Sequence, residues 1–530
     1  MTFGGILIKP LIVFATLALS VGSMAAEPTA IVRTVYGPVR GTTENGINSF
    51  LGIPFAKPPV GSLRWRPPQK PSHSTSIREA NHFAASCQQP PPVVFGPYTA
   101  EFQIVPQVNE DCLFLNVWAP TKHAGSIPVY VFIHGGAFTG GSGSIPIYDG
   151  SSLASKGVVT VTVNYRLGVF GFLAHPELSE ESSEHVSGNY GTLDVIAALQ
   201  WVHDNIRKFG GDPRRVTIGG QSAGAILVND LIVSRQAKGL FARGIAESGT
   251  AMGLPTPTLR EAEEIGVEFA KSAGNVNIAQ LRATSAEQLL EMSLPPRPAP
   301  GKEPAVPILR FVPNADKDVI STPPDGGVSL VSNVPLLTGY NFDEASLFES
   351  PAATQSKFEV NVRRRFGEYA DRVLALYPHD TDDAASESAQ VLARDRYMAG
   401  LILFSQARAQ HSGQKVYQYM FEHAYPGPEA AVYRSFHTAE VPYVFGALHQ
   451  KGRVFSDQDR AVSEQVQQYW VNFIYTGDPG MHGQQTWRGW QDGTVMCLGD
   501  HEAACPAVST PERLAMFKDW VALGHTLGLL

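Results

Sequence analysis

The stretch TIGGQSAGA, residues 217–225, decides the fold. It places Ser222 between Gly220 and Gly224, after the apolar run Val216–Ile218 and before small residues that can open a helix. Glycine is unfavourable inside a strand or a helix, so two glycines around one hydroxyl need a reason. A sharp turn from strand to helix supplies it, because side chains beside the corner would collide there. The pattern Gly-x-Ser-x-Gly therefore predicts a nucleophile elbow, with the serine hydroxyl exposed above the edge of a sheet.

Strand-like and helix-like patterns alternate around this turn. Continuous apolar runs at 129–133 and 158–163 predict strands that are covered on both faces. Apolar residues at near-helical spacing predict a helix over 193–209, and the Gly-Gly-Asp-Pro stretch at 210–213 predicts its end. Strands and helices joined by short connections indicate an α/β fold with a central, mostly parallel sheet flanked by helices.

The second half of the chain has more helices and longer connections. The same patterns predict further strands at 335–339 and 416–421, and further helices at 261–273, 286–292, 357–377, 459–475 and 511–523. The proline-rich stretch 295–307 is typical of a surface connection. Because no repeat and no interdomain linker is visible in the sequence, we expect residues 27–530 to form a single catalytic domain.

Residues 1–26 have the pattern of a signal peptide. Lys9 precedes an apolar run at 11–21, and the small residues of Ser23–Ala26 suit a signal peptidase. The run is short for a membrane span, which makes cleavage the preferred interpretation over an uncleaved anchor. We therefore expect a periplasmic or secreted protein without a stable membrane span after cleavage.

Composition and cysteine content indicate a globular protein with disulfides that does not bind nucleic acid. The chain is 43% hydrophobic and 17% charged with a net charge of -8, so it can form a large core and has no basic block for nucleic acid. Four cysteines in an exported chain suggest two disulfides, with buried free thiols as the alternative. Of the three possible pairings, Cys87 with Cys112 and Cys497 with Cys505 is preferred, because it closes two small loops.

A serine hydroxyl needs partners to act as a nucleophile. It requires a base oriented by a third group, and donors for the oxyanion that forms after attack. In a chain with a nucleophile elbow, the acid and then the histidine follow the serine, and donors lie in a loop after an earlier strand. The segment HGGAF at 134–138 occupies that place, although a simple glycine turn is the alternative interpretation.

The chain resembles the type-B carboxylesterases of the carboxylesterase/lipase family, the group that contains the cholinesterases, and in particular its secreted bacterial members. The resemblance covers nearly all of the mature chain. It depends on the elbow and on these motifs, in this order: Gly52–Gly61, Glu110–Asn116, His134–Phe138, Asn164–Gly168, Phe209–Pro213 and Gly477–Pro479. The resemblance implies an α/β-hydrolase fold with large insertions, and a serine hydrolase of carboxylic esters that needs no metal or cofactor.

The family triad of serine, glutamate and histidine maps onto Ser222, Glu344 and His437. Glu344 lies in an Asn-x-Asp-Glu motif in which alanine replaces the usual glycine, with Asp343 as a rival. His437 precedes a segment that ends in Phe-Gly, as in the family. Other histidines follow the glutamate, and only the motif selects among them: His379, His411, His423, His449, His482, His501 and His525.

The resemblance also assigns supporting residues. It implies backbone N–H donors for the oxyanion at Gly136, Ala137 and Ala223, and support for the triad from Ser248 and Glu440. It identifies the Cys87–Cys112 loop as the first disulfide loop of the family. It also implies two buried ion pairs, Arg64 with Glu110 and Arg166 with Asp194. The Cys497–Cys505 pair has no clear counterpart.

The expected substrate is an ester with an uncharged alcohol. Gln221 stands where cholinesterases have a glutamate, and Phe102 where they have the tryptophan that binds quaternary ammonium by cation–π attraction. The Cys87–Cys112 loop is a lid in lipase-like relatives, and 307–311 resembles an acyl-pocket strip that includes Arg310. We expect the substrate pocket to include these residues: Gln221, Phe102, Phe138, Leu309 and Phe311.

Two other functions stay open at this stage. One is a lipase-like or specialised ester hydrolase, acting on a phenolic, polyester or toxin ester. The other is a non-enzymatic adhesion module like the neuroligins, which lose the catalytic serine; the presence of all three triad residues argues against it. The sequence predicts a small-molecule ester as the partner and leaves the oligomeric state open.

Overall fold

The structure is a computed structural model of the 530-residue chain. It describes residues 1, 26–104, 107–249, 256–274, 276–294, 310–321, 331–347, 354–480, 487, 494–501 and 503–527. The apolar run of the predicted signal peptide, the predicted connection at 295–307 and Leu309 lie outside the described residues. Among the helices that the structure describes, none combines the length and the apolar character needed to cross a bilayer.

The described strands are numbered β1 to β17 in chain order. Their bounds are Glu27–Pro28, Val32–Thr34, Gly37–Arg40, Thr42–Glu44, Ile47–Pro54, Arg78–Glu79, Ser86–Cys87, Val108–Asn109, Phe114–Pro120, Ile127–Ile133, Val159–Val163, Gly211–Gln221, Arg243–Glu247, Leu336–Asn341, Val416–Phe421, Thr494–Leu498 and Ala503–Pro506.

The described α-helices are numbered α1 to α15 in the same way. Their bounds are Ser151–Ser155, Gly168–Phe172, Pro176–Glu180, Tyr190–Asn205, Ala223–Val233, Leu259–Ser272, Ile278–Ala283, Ala286–Ser293, Gln355–Phe366, Ala370–Leu374, Asp382–Ser412, Ala430–Tyr433, Val441–Val444, Asp457–Thr476 and Pro511–Ala522.

One large sheet organises the molecule. Its strand order is β1-β4-β5-β9-β11-β10-β12-β13-β14-β15-β16-β17. The strands from β11 to β16 in this order are parallel to their neighbours, and antiparallel strands extend both ends of the sheet. The predicted α/β class with a central, mostly parallel sheet is therefore confirmed. The carboxyl ends of β10, β12, β14 and β15 lie at one edge, where open α/β sheets bind their ligands.

Helices cover both faces of the central strands. All seven residues of β10 are buried. Val129, Val131 and Ile133 belong to the core that includes α4 and α5, whereas Tyr130 and Phe132 belong to the core that includes α13 and α14. This explains why the strand reads as a continuous apolar run rather than as an alternating one.

Several predicted element boundaries agree closely with the structure. The strand predicted at 416–421 is β15, and the helix predicted over 193–209 is α4 continued by the 3₁₀ turn Ile206–Phe209. The single helix predicted over 357–377 is wrong. It is interrupted between α9 and α10 because Gly367 takes a positive φ of 53°, which ends the first helix.

Both predicted disulfides are present. Cys87 pairs with Cys112 and Cys497 pairs with Cys505, so the expected pairing is confirmed. The first closes the segment that leads from β7 to β9, and the second joins the antiparallel strands β16 and β17.

Two ion pairs of low exposure lie beside the core that includes α4 and α5. Arg64 contacts Glu110 at 2.5 Å, and Arg166 contacts Asp194 at 2.7 Å. Arg166 donates to both carboxylate oxygens of Asp194, the bidentate geometry that suits a guanidinium. Both pairs that the resemblance implied are therefore formed.

Candidate active site

Ser222 occupies the junction between β12 and α5. Its φ of 57° and ψ of -123° are strained for a residue with a side chain. A Cβ atom at Gly220 would lie 2.4 Å from the carbonyl oxygen of Gly224. A Cβ atom at Gly224 would lie 2.0 Å from the carbonyl oxygen of Ile133 in β10. Both glycines are therefore required by close backbone approach, and the neighbouring strand contributes as much as the turn itself.

Three distant parts of the chain meet at this serine. The Ser222 Oγ atom lies 2.8 Å from Nε2 of His437, and Nδ1 of His437 is hydrogen-bonded to Oε1 of Glu344. Glu344 follows β14 and His437 follows β15, so both loops leave the same edge of the sheet as the elbow. The arrangement provides a hydroxyl, a base and an acid in series, which is what activation of a serine requires.

The second oxygen of Glu344 is also fully used. It accepts a hydrogen bond from the Ser248 hydroxyl at 3.0 Å and another from the Asn341 backbone N–H at 2.8 Å. The Asn341 side chain in turn donates to Glu440 at 2.5 Å. Ser248 thus touches the acid directly, whereas Glu440 reaches it through Asn341. Such bonds orient the carboxylate towards the imidazole.

The rival carboxylate has different contacts. Asp343 accepts a hydrogen bond from the Ser435 hydroxyl at 2.9 Å, and its other oxygen lies 3.8 Å from the Arg434 guanidinium. Adjacent residues in this turn point in different directions, so Glu344 rather than Asp343 contacts the histidine.

Burial and charge shift the pKa values around the triad. Burial is the largest single effect on the pKa of His437 and lowers it, but the charge and hydrogen bond of Glu344 and the charge of Glu440 together outweigh burial, so the net pKa is raised. Burial, followed by the charge of Glu344, raises the pKa of Glu440 to about 7. Burial and then Glu440 raise the pKa of Glu247 well above its ordinary value. Raised values favour the neutral carboxyl forms, which limits the negative charge buried beneath the histidine.

Glu247 was not among the predicted site residues. It is fully buried, and its Oε1 accepts a hydrogen bond from the Trp470 indole at 3.0 Å. The sequence feature that could have identified Glu247 is its position next to Ser248, at the end of β13.

The predicted oxyanion donors surround the serine. Gly136 and Ala137 line the same cavity as Ser222, with positive φ values of 106° and 55°. Among the described residues, no carbonyl oxygen accepts a hydrogen bond from the N–H of Gly136 or Ala137. Ala223 is the first residue of α5, where backbone N–H groups have no partner inside the helix. These groups are suited to bind a negatively charged oxygen.

The hydroxyl of Ser222 opens into a cavity of about 480 Å³, the size of a small-molecule site. None of the described lining residues is aspartate, glutamate, lysine or arginine. Most of the wall comes from the Cys87–Cys112 loop and from residues 134–141 after β10, here called the oxyanion loop, through these residues: Gln89, Pro90, Pro91, Pro92, Val93, Phe95, Tyr98, Phe102, Gln103, Ile104, Gly135, Gly136, Ala137, Thr139, Gly140 and Gly141. The rest comes from Ile145, Tyr148, Gln221, Ser222, His437 and Thr438.

The predicted substrate-pocket residues divide into two groups. Gln221 and Phe102 line the cavity. Phe138 and Phe311 do not. Phe138 packs edge-on against Phe172 in the core, where it is 1% exposed.

Phe311 packs edge-on against Phe269, and the Arg310 guanidinium lies over both of these rings at 5.5 and 5.4 Å. The described part of the acyl-pocket strip therefore faces away from the cavity. Leu309 lies outside the described residues.

No group of three or more histidine, cysteine, aspartate or glutamate side chains is arranged to bind a metal ion in the part of the chain that the structure describes.

The chain is similar to known esterases. The sequence matches the model of the carboxylesterase family over residues 28–512. It is 35% identical to the fumonisin B1 esterase of Sphingopyxis macrogoltabida over 501 residues, or 91% of this chain and 88% of that protein. It is 36% identical to the para-nitrobenzyl esterase of Bacillus subtilis over 465 residues, or 85% of this chain and 90% of that protein. A solved PNB esterase structure aligns with a TM-score of 0.76 at 33% identity, covering 92% of this chain and 99% of that chain.

Proposed function

We propose that this chain, which belongs to the carboxylesterase family, cleaves esters of uncharged alcohols through Ser222, His437 and Glu344. The chain is an ester hydrolase, as are relatives that are 35% and 36% identical over most of its length. The catalytic residues and the substrate class are the proposed part. The observation that carries them is the hydrogen-bonded series from Ser222 to His437, at 2.8 Å, and on to Glu344.

The first half of the reaction transfers the acyl group to the enzyme. As the Ser222 oxygen attacks the ester carbonyl carbon, Nε2 of His437 accepts the hydroxyl proton. Glu344 accepts the hydrogen bond from Nδ1–H, which fixes the tautomer in which Nε2 carries no proton and can act as a base. The imidazolium that forms is stabilised by the same carboxylate. It then gives its proton to the departing alcohol oxygen.

The second half releases the acid. Water loses a proton to His437 and attacks the acyl-enzyme, and the carboxylic acid leaves as Ser222 regains its proton. In both halves the carbonyl oxygen carries a negative charge, which the N–H groups of Gly136, Ala137 and Ala223 would bind. Removing one such donor typically costs about 10²–10³ in rate.

The character of the cavity supports an uncharged alcohol. Gln221 is neutral, and Phe102 is a weaker partner for a quaternary ammonium than a tryptophan. The absence of acidic side chains among the described lining residues also disfavours a cationic substrate.

A lipase-like preference is the second candidate. The cavity wall includes Pro90–Pro92, Val93 and Phe95, and the last two side chains are 68% and 57% exposed. An apolar rim of this kind favours long acyl chains. A specialised role also stays open, because one relative is a fumonisin B1 esterase.

We also propose that this protein is exported to an oxidising compartment. Residues 1–26 are read as a cleaved signal peptide, and the two disulfides support an oxidising compartment.

Replacing Ser222 with alanine tests the catalytic assignment. We expect Ser222→Ala to lower kcat for a p-nitrophenyl ester by roughly 10⁴–10⁶-fold without changing the thermal unfolding temperature by more than a few degrees. Retention of full activity would refute the proposed nucleophile.

A panel of esters tests the substrate class. The parent enzyme is assayed on acetylcholine and on its neutral isostere, in which carbon replaces the ammonium nitrogen, and on p-nitrophenyl esters from acetate to laurate. We expect the neutral ester to have the higher kcat/KM. A preference for acetylcholine would contradict the prediction that Gln221 and Phe102 disfavour a cationic alcohol. A maximum of kcat/KM at laurate would favour the lipase-like candidate.

A further inference from the structure

Tyr98 connects the wall of the substrate cavity to the backbone of the histidine. Its hydroxyl donates a hydrogen bond to the carbonyl oxygen of His437 at 2.7 Å and lies 3.2 Å from the Thr438 hydroxyl. Burial raises the pKa of Tyr98, so the hydroxyl keeps its proton and remains a donor. The contact joins two segments that are 339 residues apart in the chain.

The histidine backbone needs such a contact. Thr438, the next residue, has a φ of 88°, a conformation that is costly for a β-branched residue. Strained backbone persists only where its surroundings fix it. On the side chain, His437 is already bonded to Ser222 and Glu344, and Tyr98 adds a bond to its carbonyl group.

The segment that carries Tyr98 is itself anchored at one end to the oxyanion loop. The Gln89 side chain accepts a hydrogen bond from the Gly141 N–H and donates one to the Gly141 carbonyl oxygen, both at 2.8 Å. Two residues earlier, Cys87 is bonded to Cys112.

A buried arginine anchors the other end. Arg453 forms an ion pair with Glu101, and both side chains are 7% exposed. It also donates to the Thr99 hydroxyl and to the carbonyl oxygen of Pro426, each at 2.5 Å. Thr99 directly follows Tyr98, and Arg453 also donates to the carbonyl oxygen of Pro97, directly before it, at 3.4 Å. The position of its hydroxyl is therefore fixed from both sides.

The Tyr98 ring is fixed by packing as well. It makes edge-on contacts with Phe102 and Phe436, at centroid distances of 5.6 and 5.5 Å. Phe436 directly precedes His437, so the ring and the hydroxyl contact the same short segment. A phenylalanine at position 98 would keep the ring contacts and lose only the contacts of the hydroxyl, with the His437 carbonyl oxygen and the Thr438 hydroxyl.

We propose that Tyr98 is a positioning residue for ester hydrolysis: its hydroxyl fixes the His437 backbone and couples the wall of the substrate cavity to the catalytic base. This inference rests on the proposed function. It makes the Cys87–Cys112 loop a fixed support for the reaction over the described residues 88–104, rather than only a cover for the cavity. Tyr98 acts through His437 and takes no part in the chemistry itself.

The test compares Tyr98→Phe with Tyr475→Phe in the full chain. Tyr475 donates the same kind of bond, to the Gly157 carbonyl oxygen at 2.8 Å, but it lies outside the cavity. We expect Tyr98→Phe to lower kcat for p-nitrophenyl acetate by about tenfold, the effect of one lost hydrogen bond. KM should change by less than about twofold, because the ring that lines the cavity is kept.

Two further readouts separate positioning from general stability. A small sulfonyl fluoride labels an activated serine: the serine oxygen bonds to sulfur, fluoride leaves, and the histidine accepts the proton. We expect the labelling rate constant of Tyr98→Phe to fall by the same factor as kcat. The acid limb of kcat/KM should move to lower pH, because a displaced imidazole is stabilised less by Glu344. Tyr475→Phe should leave all three quantities at the parent values.

The outcomes are distinct. An unchanged kcat with a raised KM in Tyr98→Phe, or an equal loss of activity in Tyr475→Phe, would overturn the positioning role. Ser222→Ala is run alongside: if it remains active, the proposed function fails first. If Ser222→Ala is inactive and Tyr98→Phe behaves like Tyr475→Phe, only the inference about Tyr98 fails.

Discussion

Asp343 and Glu344 are adjacent carboxylates with different contacts, so substituting each in turn tests which one supports the histidine. Glu344 contacts the His437 imidazole, whereas Asp343 contacts the Ser435 hydroxyl. We expect Glu344→Gln to lower kcat by about 10³–10⁴-fold, because an amide can hold the imidazole in the wrong tautomer and does not stabilise its cation. Steady-state kinetics on a p-nitrophenyl ester measures the loss.

Asp343→Asn is the matched control, since it makes the same chemical change one residue away. Its kcat should stay within about tenfold of the parent value, because Ser435 can still be bonded by the amide oxygen. If Asp343→Asn were the more damaging variant, the acid would be assigned to the wrong residue.

The histidine also predicts a pH dependence. Burial lowers and Glu344 raises the pKa of His437, with a net increase above the ordinary value of about 6.5. The neutral imidazole is the active form, so kcat/KM should rise with pH and reach half its maximum above about pH 6.5. A profile of kcat/KM between acid and neutral pH measures the midpoint. A midpoint below that of free histidine would show that the carboxylates do not outweigh the effect of burial.

The packing of α5 against β10 fixes the elbow. Gly224→Ala would place a Cβ atom 2.0 Å from the Ile133 carbonyl oxygen, so the helix has to move away from the sheet. We expect a loss of at least about 2 kcal/mol in the free energy of unfolding. Activity should fall as well, because Ser222 moves with the helix. Denaturant unfolding and ester assays measure the two effects.

Gly400→Ala controls for the substitution itself. Gly400 lies in α11, and among the described residues an added Cβ atom would meet only Leu527, at 3.7 Å. The change should be neutral or stabilising by up to about 1 kcal/mol, because alanine favours the helix. Equal effects of the two substitutions would refute the close-approach argument.

Several strands and helices could be predicted from the sequence because each is a single run of residues with one hydrophobic pattern. The strand β15, Val416–Phe421, has the bounds that the apolar run predicted. The long helix α11 was not predicted. Its buried residues include the consecutive Tyr397, Met398 and Ala399, so no single apolar face marks it as a helix.

In the candidate site, only residues that lie in recognisable motifs could be predicted from the sequence. Ser222, Glu344 and His437 each stand in a recognisable short pattern, and the structure brings them together. Tyr98 and Glu247 have no such pattern. Their contacts, with His437 and Trp470, are made across more than two hundred residues of chain, and only the folded topology creates them.

For the whole molecule, a buried carboxyl group links stability to pH. Asp230 in α5 is fully buried, and neither carboxyl oxygen has a hydrogen-bond partner among the described residues. Burial, and then the charge of Asp316, raises the pKa of Asp230 to about 8. The unfolded chain loses this proton near pH 3.9. Between these values the folded state binds more protons, so this group lowers the free energy of unfolding as pH rises from about 4 to about 8.

Asp230→Asn removes this titration. The unfolding temperature of the variant, relative to the parent protein, should rise by a few degrees between pH 5 and pH 8. Asp371→Asn makes the same change on a side chain that is 81% exposed, and its difference from the parent should stay nearly constant. A constant difference for Asp230→Asn would mean that this carboxyl group does not keep its proton in the folded state.

The most direct test of Ser222 as the nucleophile is to identify the residue that becomes covalently modified. The protein is treated with a fluorophosphonate, which forms a stable bond with an activated serine, and its peptides are examined by mass spectrometry. We expect one label per chain, on the peptide that contains Ser222, in proportion to the loss of esterase activity, and none on Ser222→Ala. A label on a different residue, or full inactivation without a label on Ser222, would contradict the proposal that Ser222 is the nucleophile.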